Sequence, residues 1–312
     1  MGERVVRVAA VQAAPVFLDL DGSLVKLEEW ARRAAGEGAA IIAFPETWLP
    51  GYPAWIDSSP DAAIWGHAGA RSLHARLMEN AVVVPSPATT RIGALAKELG
   101  VALVVGVQER AGRTLFNALL IFGPDGAMLN HHRKLVPTYT ERLVWGQGDG
   151  HGLRAVDVGG VRIGGLICWE HWMPLARQAM HDAGEDVHVA AWPGVHEMHQ
   201  VASRHYAFEG RCFVIAAGSI LRVDQMPAEL PPQEKYLKDP KGLMIPGMSA
   251  IIAPNGRYLA GPVSDIETVV AADCDLREIA KEAQTLDVSG HYSRPDVLEL
   301  HLKASPPRRH TT

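Results

Sequence analysis

Three side chains suited to nucleophilic and proton-transfer chemistry each follow directly on an apolar run of strand type. Gly164-Gly165-Leu166-Ile167 leads into Cys168-Trp169-Glu170-His171, and a helix starts at Pro174-Leu175-Ala176-Arg177. The Cys168 thiol therefore stands on a strand-to-helix turn, near backbone N–H groups and the positive end of a helix dipole, which favour the nucleophilic thiolate. The competing reading is a packed structural cysteine, since free thiols are among the most buried groups. Glu46 closes the run Ala39–Phe44 and Pro45. A carboxylate there is either a solvated loop group or a general base whose pKa is raised in an apolar pocket. Lys134 ends Met128–Arg133; it is either a surface cation or a buried ammonium that stabilises a developing anion and the neighbouring thiolate. Glu141, after Thr138-Tyr139-Thr140, lies beside Arg142, with which it could form a surface ion pair.

If the three strands are neighbours, the carboxylate, ammonium and thiol meet at one rim. The elements that would hold them read as follows. Strands are expected at Val5–Gln12, Ala39–Phe44, Val101–Val107, Leu115–Phe122, Met128–Arg133, Arg154–Val158, Val161–Ile167, Val187–Ala191, Cys212–Ala217, Ser249–Ala253 and Thr268–Asp273. Helices are expected from Asp21, with Leu24, Leu27, Trp30, Ala31 and Ala34 on one face, from Ile64 to Asn80, from Thr89 to Glu98, from Met198 to Glu209 and from Asp275. Trp48–Ile64 and Gln225–Lys241 read as loops. Alternating helices and strands at both ends, with hairpins between, indicate an α/β protein with a mixed sheet or two sheets. A weak likeness between Ile41–Glu46 and Val187–Gly194 suggests two related halves facing each other.

The 312 residues, 47% hydrophobic, suffice for a large core, and a net charge of -5 without a Lys/Arg run argues against a nucleic-acid partner. Met1–Val8 lacks the apolar stretch of a signal peptide, and no run is long enough to span a bilayer. The expectation is a soluble, cytoplasmic protein with no membrane partner and a solvated tail at Pro306–His310. Three cysteines without metal-type spacing argue against a disulfide framework, and Cys212 and Cys274 read as packing. His196-Glu197-Met198-His199, with His205, has its histidines three apart, not the four of a zinc-hydrolase helix, so no metal is expected.

Phe44-Pro45-Glu46, His132-Arg133-Lys134-Leu135 and Leu166-Ile167-Cys168-Trp169-Glu170 together resemble the three signatures of the nitrilase superfamily of carbon–nitrogen hydrolases. The resemblance runs from Val5 to His291-Tyr292-Ser293-Arg294-Pro295-Asp296. Pro137-Thr138 with Glu141-Arg142, Trp145–Gly150, His171 after Glu170, and Glu209-Gly210-Arg211-Cys212 are similar to the true nitrilase branch; amidase branches usually carry a different pair after the cysteine. Gly247-Met248-Ser249 departs from a more glycine-rich approach to the next strand.

The resemblance implies a four-layer α-β-β-α sandwich, with a hydrolase domain over 1-285 and a C-terminal extension over 286-312 in subunit contacts. It implies a homodimer or higher homo-oligomer acting on a small nitrile without any cofactor. Cys168 would be the nucleophile, Glu46 the general base, Lys134 the transition-state stabiliser and Glu141 an auxiliary that orients Lys134 or water. Trp169, Trp55, Thr138, Tyr139, Trp192 and His196 are candidates for lining the pocket or for ordinary packing. Glu170 would be a structural partner, and His171 would line the pocket or an interface. An aliphatic amidase or a cyanide-degrading enzyme would use the same residues. A non-catalytic assembly protein would leave Cys168 structural.

Overall fold

Apolar residues on successive positions of a strand require burial on both faces, and the first strand meets that demand. The computed structural model describes residues 5–238 and 240–303. Met1–Arg4 and the Pro306–His310 tail, on which two expectations rest, lie outside the described residues. The first half of the chain forms β1 (Val5–Gln12), α1 (Leu20–Gly36), β2 (Ile41–Ala43), α2 (Trp55–Ser58), α3 (Ala68–Asn80), α4 (Pro87–Leu99), β3 (Ala102–Ala111), β4 (Thr114–Phe122) and β5 (Met128–Arg133). The second half forms β6 (Val156–Val158), β7 (Val161–Ile167), α5 (Pro174–Asp182), β8 (Val187–Ala191), α6 (Glu197–Gly210), β9 (Phe213–Ala217) and β10 (Ile220–Arg222). It closes with α7 (Glu234–Leu237), β11 (Leu243–Ile252), β12 (Tyr258–Ser264), β13 (Thr268–Asp275) and α8 (Arg277–Ala283).

The strands form two mixed sheets, one in the order β13-β1-β2-β3-β4-β5, the other β10-β11-β9-β8-β7-β6 with β12 on β11. In β1, Val8 and Ala10 join the core between the sheets, whereas Ala9 and Val11 pack outward against Leu24, Leu27 and Trp30 of α1 and Ile92 and Leu95 of α4. α5 and α6 cover the second sheet with Ala179, Met180, Ala202, Tyr206 and Ala207. The result is the α-β-β-α sandwich of two mixed sheets that the resemblance implies. Among the described residues no helix is long and apolar enough to cross a membrane.

The likeness between the two halves has a structural counterpart. β2 lies between parallel β1 and β3, and β8 between parallel β7 and β9. The ends of the two central strands meet, because the Glu46 N–H donates to Trp192 O at 3.2 Å.

Several boundaries differ from the sequence reading. α4 starts at Pro87 under a Ser86 cap, with the Thr89 hydroxyl accepting from Ser86 N at 2.9 Å, so Thr89 serves inside the helix. α3 begins at Ala68, and both expected loops contain a short helix. β10 and β12 are not apparent from apolar pattern: β12 is an irregular edge strand with Gly261, Pro262 and mostly exposed side chains. β11 begins at Leu243, and Met248 within it has φ +62°, a left-handed conformation where glycine is the usual occupant.

Gly106 of β3 fixes how the chain leaves β2. A Cβ there would lie 2.1 Å from Pro45 O and 2.9 Å from Glu46 Cα. Gly106→Ala is expected to destabilise the fold by about 1–3 kcal/mol through this backbone clash. Urea denaturation checks it; an unchanged midpoint would show that the Pro45–Glu46 segment yields freely.

Candidate active site

The four residues expected to carry chemistry converge at the sheet rims. Thr47, with φ +44°, turns the chain sharply after Glu46. Asn117 of β4 donates to Glu46 Oε1 at 2.6 Å, and its carbonyl accepts from Lys134 N at 2.8 Å. The Lys134 ammonium donates to Glu46 Oε1 at 2.9 Å and to Glu141 Oε2 at 2.7 Å. Glu141, on a 3-10 turn (Tyr139–Leu143), also accepts from Thr138 N at 2.7 Å and from the Tyr52 hydroxyl at 3.2 Å. It makes no surface pair with Arg142, because it is turned inward to the buried ammonium. Cys168 opens a second 3-10 turn (Cys168–Trp172) at φ +52°. Its Sγ and one carboxylate oxygen each of Glu46 and Glu141 all lie within 4.8 Å of one another. Glu46, Lys134, Glu141 and Cys168 are each at most 4% exposed.

Burial raises the Glu46 pKa to about 7, against the pull of Lys134 and with a further push from Glu141. Burial pulls the Lys134 pKa down, but the Glu46 and Glu141 carboxylates beside it, and Cys168 whenever it is a thiolate, outweigh that and move it up, so the ammonium keeps its proton. The Cys168 thiol is pushed well up, first by burial and then by the Glu46 charge, with Lys134 opposing. Burial and the two carboxylates thus work against the thiolate that the turn was expected to favour, with Lys134 on the thiolate's side. The Cys168 thiol stands beside the Glu46 carboxyl group, to which its proton can pass. Glu46 Oε2 is buried and has no hydrogen-bond partner among the described residues, leaving a lone pair free to accept that proton.

Glu170 does not face this cluster. Its carboxylate accepts from His132 Nε2 at 2.9 Å, Leu135 N at 2.8 Å and Ile167 N at 2.7 Å. Burial raises its pKa, but His132 and the two backbone donors outweigh that and hold it below the usual range. It ties the strand end that carries Lys134 to the turn that carries Cys168. His171 is buried behind the turn and outside the cavity, its Nδ1 2.7 Å from Cys168 O.

A cavity of about 410 Å³ opens over Cys168. Thr138, Tyr139, Trp169 and His196 line it, as do Tyr52, Ala54, Asp57, Pro193, His199, Tyr236, Met244 and Ile245. Trp55 and Trp192 lie elsewhere. Trp55 packs edge-on against Phe17 in a satellite core. Trp192 is fully buried, stacked between His171 and His199, with Nε1 bonded to Ser203 Oγ. Strand-end aromatics flank the site in sequence, but the neighbouring helix packing decides whether they face it. Tyr52 was missed; its signal was the Pro/Gly/Trp-rich loop, which singled out a segment without a residue. His199 is engaged by Gly194 O at 2.7 Å and by the Trp192 ring, a packing role. Glu170→Ala would leave three buried donors unpaired and is expected to cost roughly 3–5 kcal/mol. Denaturant unfolding checks this; a loss of less than about 1 kcal/mol would remove Glu170 as the clamp.

Residues 7–284 match the family described as carbon–nitrogen hydrolase. A Paraburkholderia phymatum protein named nitrilase is 38% identical, covering 97% of this chain and 88% of its own length. A Lupinus angustifolius protein named bifunctional nitrilase/nitrile hydratase is 39% identical, over 96% of this chain and 87% of its own. The solved structure of a CN-hydrolase superfamily protein from Xanthomonas campestris, 21% identical, shares the fold at a TM-score of 0.70 over 96% of this chain and 99% of that one. On the match across residues 7–284 and the full-length similarity to these relatives, the protein belongs to the carbon–nitrogen hydrolase family.

Proposed function

We propose that this enzyme hydrolyses an organic nitrile to the carboxylic acid and ammonia, with Cys168 as nucleophile, Glu46 as general base, Lys134 as stabiliser and Glu141 as its support. One observation carries the reading: a buried thiol beside a free carboxylate oxygen and a fixed ammonium at the base of a largely apolar cavity. Sulfur attacks the nitrile carbon while Glu46 takes the thiol proton and passes it to nitrogen, giving a thioimidate. A water deprotonated by Glu46 then adds, the C–N bond breaks, and ammonia leaves a thioester. A second water breaks the C–S bond, which releases the acid and restores the thiol. Lys134 Nζ and the Trp169 N–H, in the first turn of its 3-10 helix, are the donors for charge developing on nitrogen and then on oxygen. Glu141 shares the ammonium with Glu46, so Lys134 is held in place before substrate arrives.

What favours a nitrile over an amide is the full-length similarity to relatives that bear the name nitrilase. One relative is named for nitrile hydratase activity as well. The tetrahedral intermediate can expel sulfur in place of ammonia, so amide is to be assayed alongside acid. The Tyr139 and Trp169 side chains, both exposed at the cavity mouth, would receive the organic group.

A second copy of the chain is the proposed partner. Leu175 of α5 and Met198, Val201 and Phe208 of α6 are exposed apolar groups on one pair of helices. We assign 1-285 to the hydrolase domain and residues from 286 on to a segment that contacts another copy, through exposed Tyr292, Val297 and Leu298. Light scattering tests this; a monomer at micromolar concentration would count against it.

A panel of aliphatic, arylacetic and aromatic nitriles with the matching amides, assayed for ammonia, acid and amide, tests the reaction. Ammonia from amides alone would replace the reading with an amidase. Cys168→Ala is expected to lower turnover by on the order of 10,000-fold or more while leaving the unfolding midpoint within about 1 kcal/mol of the wild type. Substrate-derived adducts on Cys212 or Cys274 in mass spectrometry would reassign the nucleophile. Glu46 must be ionised to accept the thiol proton, and burial raises its pKa to about 7, so kcat/KM should fall as the pH drops through about 7. An acid limb near the ordinary glutamate pKa would show that another group is the base.

A further inference from the structure

A buried chain of hydrogen bonds runs from the backbone of the Cys168 turn away from the substrate cavity. His171 Nδ1 lies 2.7 Å from Cys168 O, and His171 Nε2 lies 3.0 Å from His188 Nε2. His188 Nδ1 lies 2.9 Å from Glu185 Oε1, and the Tyr206 hydroxyl donates to Glu185 Oε2 at 2.6 Å. All four side chains are buried. Gly164 of β7 makes room for the carboxyl group, since a Cβ there would sit 1.9 Å from Glu185 Oε1.

Proton counting constrains this chain. The Cys168 carbonyl can only accept, so three links, from carbonyl to His171, His171 to His188 and His188 to Glu185, each need one proton. Two neutral imidazoles supply two. The third must be an extra proton, carried by Glu185 as the neutral acid or by one of the histidines as an imidazolium. Without it, two lone pairs face each other at one of the three links; an ionised Glu185 draws the His188 proton to Nδ1 and so the His171 proton to Nε2, which leaves the bare His171 Nδ1 facing the Cys168 carbonyl. That carbonyl belongs to a residue held at φ +52°, so its hydrogen bond holds the backbone from which Sγ projects.

We propose that the extra proton locks the Cys168 turn in its reactive position, and that Glu185 is a positioning residue whose ionisation releases the turn and lowers turnover in alkaline solution. The proposal rests on Cys168 being the nucleophile. Tyr206 from α6, His181 from α5, His188 from β8 and Cys212 ahead of β9 are the titratable groups packed around Glu185. Asp186, Glu209, Arg211 and Asp287 share with it a separate cavity of about 330 Å³, which gives its proton a route to solvent without passing the substrate. Burial raises the Glu185 pKa to about 8, with Tyr206 and His181 pulling the other way. Burial lowers His171 to about 3 and His188 well below its ordinary value, so the proton rests on Glu185 near neutrality. Loss of a raised-pKa acid proton acts on the alkaline side, opposite to the acid limb of Glu46.

Glu185→Gln keeps a donor for His188 Nδ1 and an acceptor for Tyr206 but cannot ionise. In wild type, kcat should fall as the pH rises through about 8. E185Q should keep its neutral-pH kcat within about twofold and lose that fall. Tyr206→Phe removes a donor that favours the carboxylate, so it should move the wild-type fall to higher pH. A direct readout does not depend on turnover: in protein labelled with nitrogen-15 at histidine, the ring proton of His188 should move from Nε2 to Nδ1 and that of His171 from Nδ1 to Nε2 through the same pH range in wild type, and neither should move in E185Q. If the nitrile panel fails, those proton positions still test the lock. An alkaline fall shared unchanged by wild type and E185Q, a rate loss in E185Q equal at every pH, or ring protons that stay on His171 Nδ1 and His188 Nε2 in alkaline wild type would each overturn it.

Discussion

A lysine ammonium enclosed by protein must be paired, and the pairing of Lys134 organises the site. Its partners come from different parts of the chain: Glu46 from the end of β2 and Glu141 from the turn beyond Thr138. Glu46 also accepts from Asn117 of β4, whose carbonyl holds the Lys134 backbone. The attraction between these charges is large in a low-dielectric interior, but so is the cost of desolvating each one. The net stabilisation is small; what the network provides is rigidity, because displacing one member leaves the others buried and uncompensated. A site built this way offers a fixed positive charge, one free carboxylate lone pair and a thiol without waiting for substrate to order them.

Cys168 is held by a separate set of contacts on the opposite sheet. Glu170 takes donors from His132 and Leu135 on one side and from Ile167 on the other, which staples the first sheet's rim to the second. His171 holds the Cys168 carbonyl from behind and is itself stacked on Trp192, whose carbonyl receives the Glu46 N–H. Glu46 and Cys168 thus share a common support across the two sheets. Close packing of glycines makes the approach possible: a side chain at Gly165 would meet Leu119 of the facing sheet.

Much of this was legible in the chain. Continuous apolar runs of four to eight residues can be satisfied by strands buried on both faces, as β2, β8 and β9 are. The amphipathic face of α1 was readable residue by residue, because a 3.6-residue period leaves an unambiguous stripe. Edge strands β10 and β12 were not legible: β10 is only three residues long, and β12 has mostly exposed side chains, so neither prints a pattern. Met248 was visible as a departure from glycine; that it occupies a left-handed conformation follows from the packed backbone around it.

Sequence by itself determined that a thiol and a carboxylate each follow an apolar strand and that an ammonium follows a more polar one, Met128–Arg133, since residue type is written locally. It also marked Glu170 as something other than the base, through the three-part resemblance. Tertiary structure decided the quantities that depend on distance through space. It turned Glu141 from a surface partner of Arg142 into a buried partner of Lys134, and it removed Trp55 and Trp192 from the cavity. It pushed the Cys168 thiol pKa up, because the charge environment of a sulfur is set by groups far apart in sequence. Only Glu185 and His188, three residues apart, are linked locally; the packing of α6 and of the Cys168 turn against β8 brings Tyr206 and His171 into the same line, and the acceptor-only carbonyl at its end then requires an extra proton in the chain.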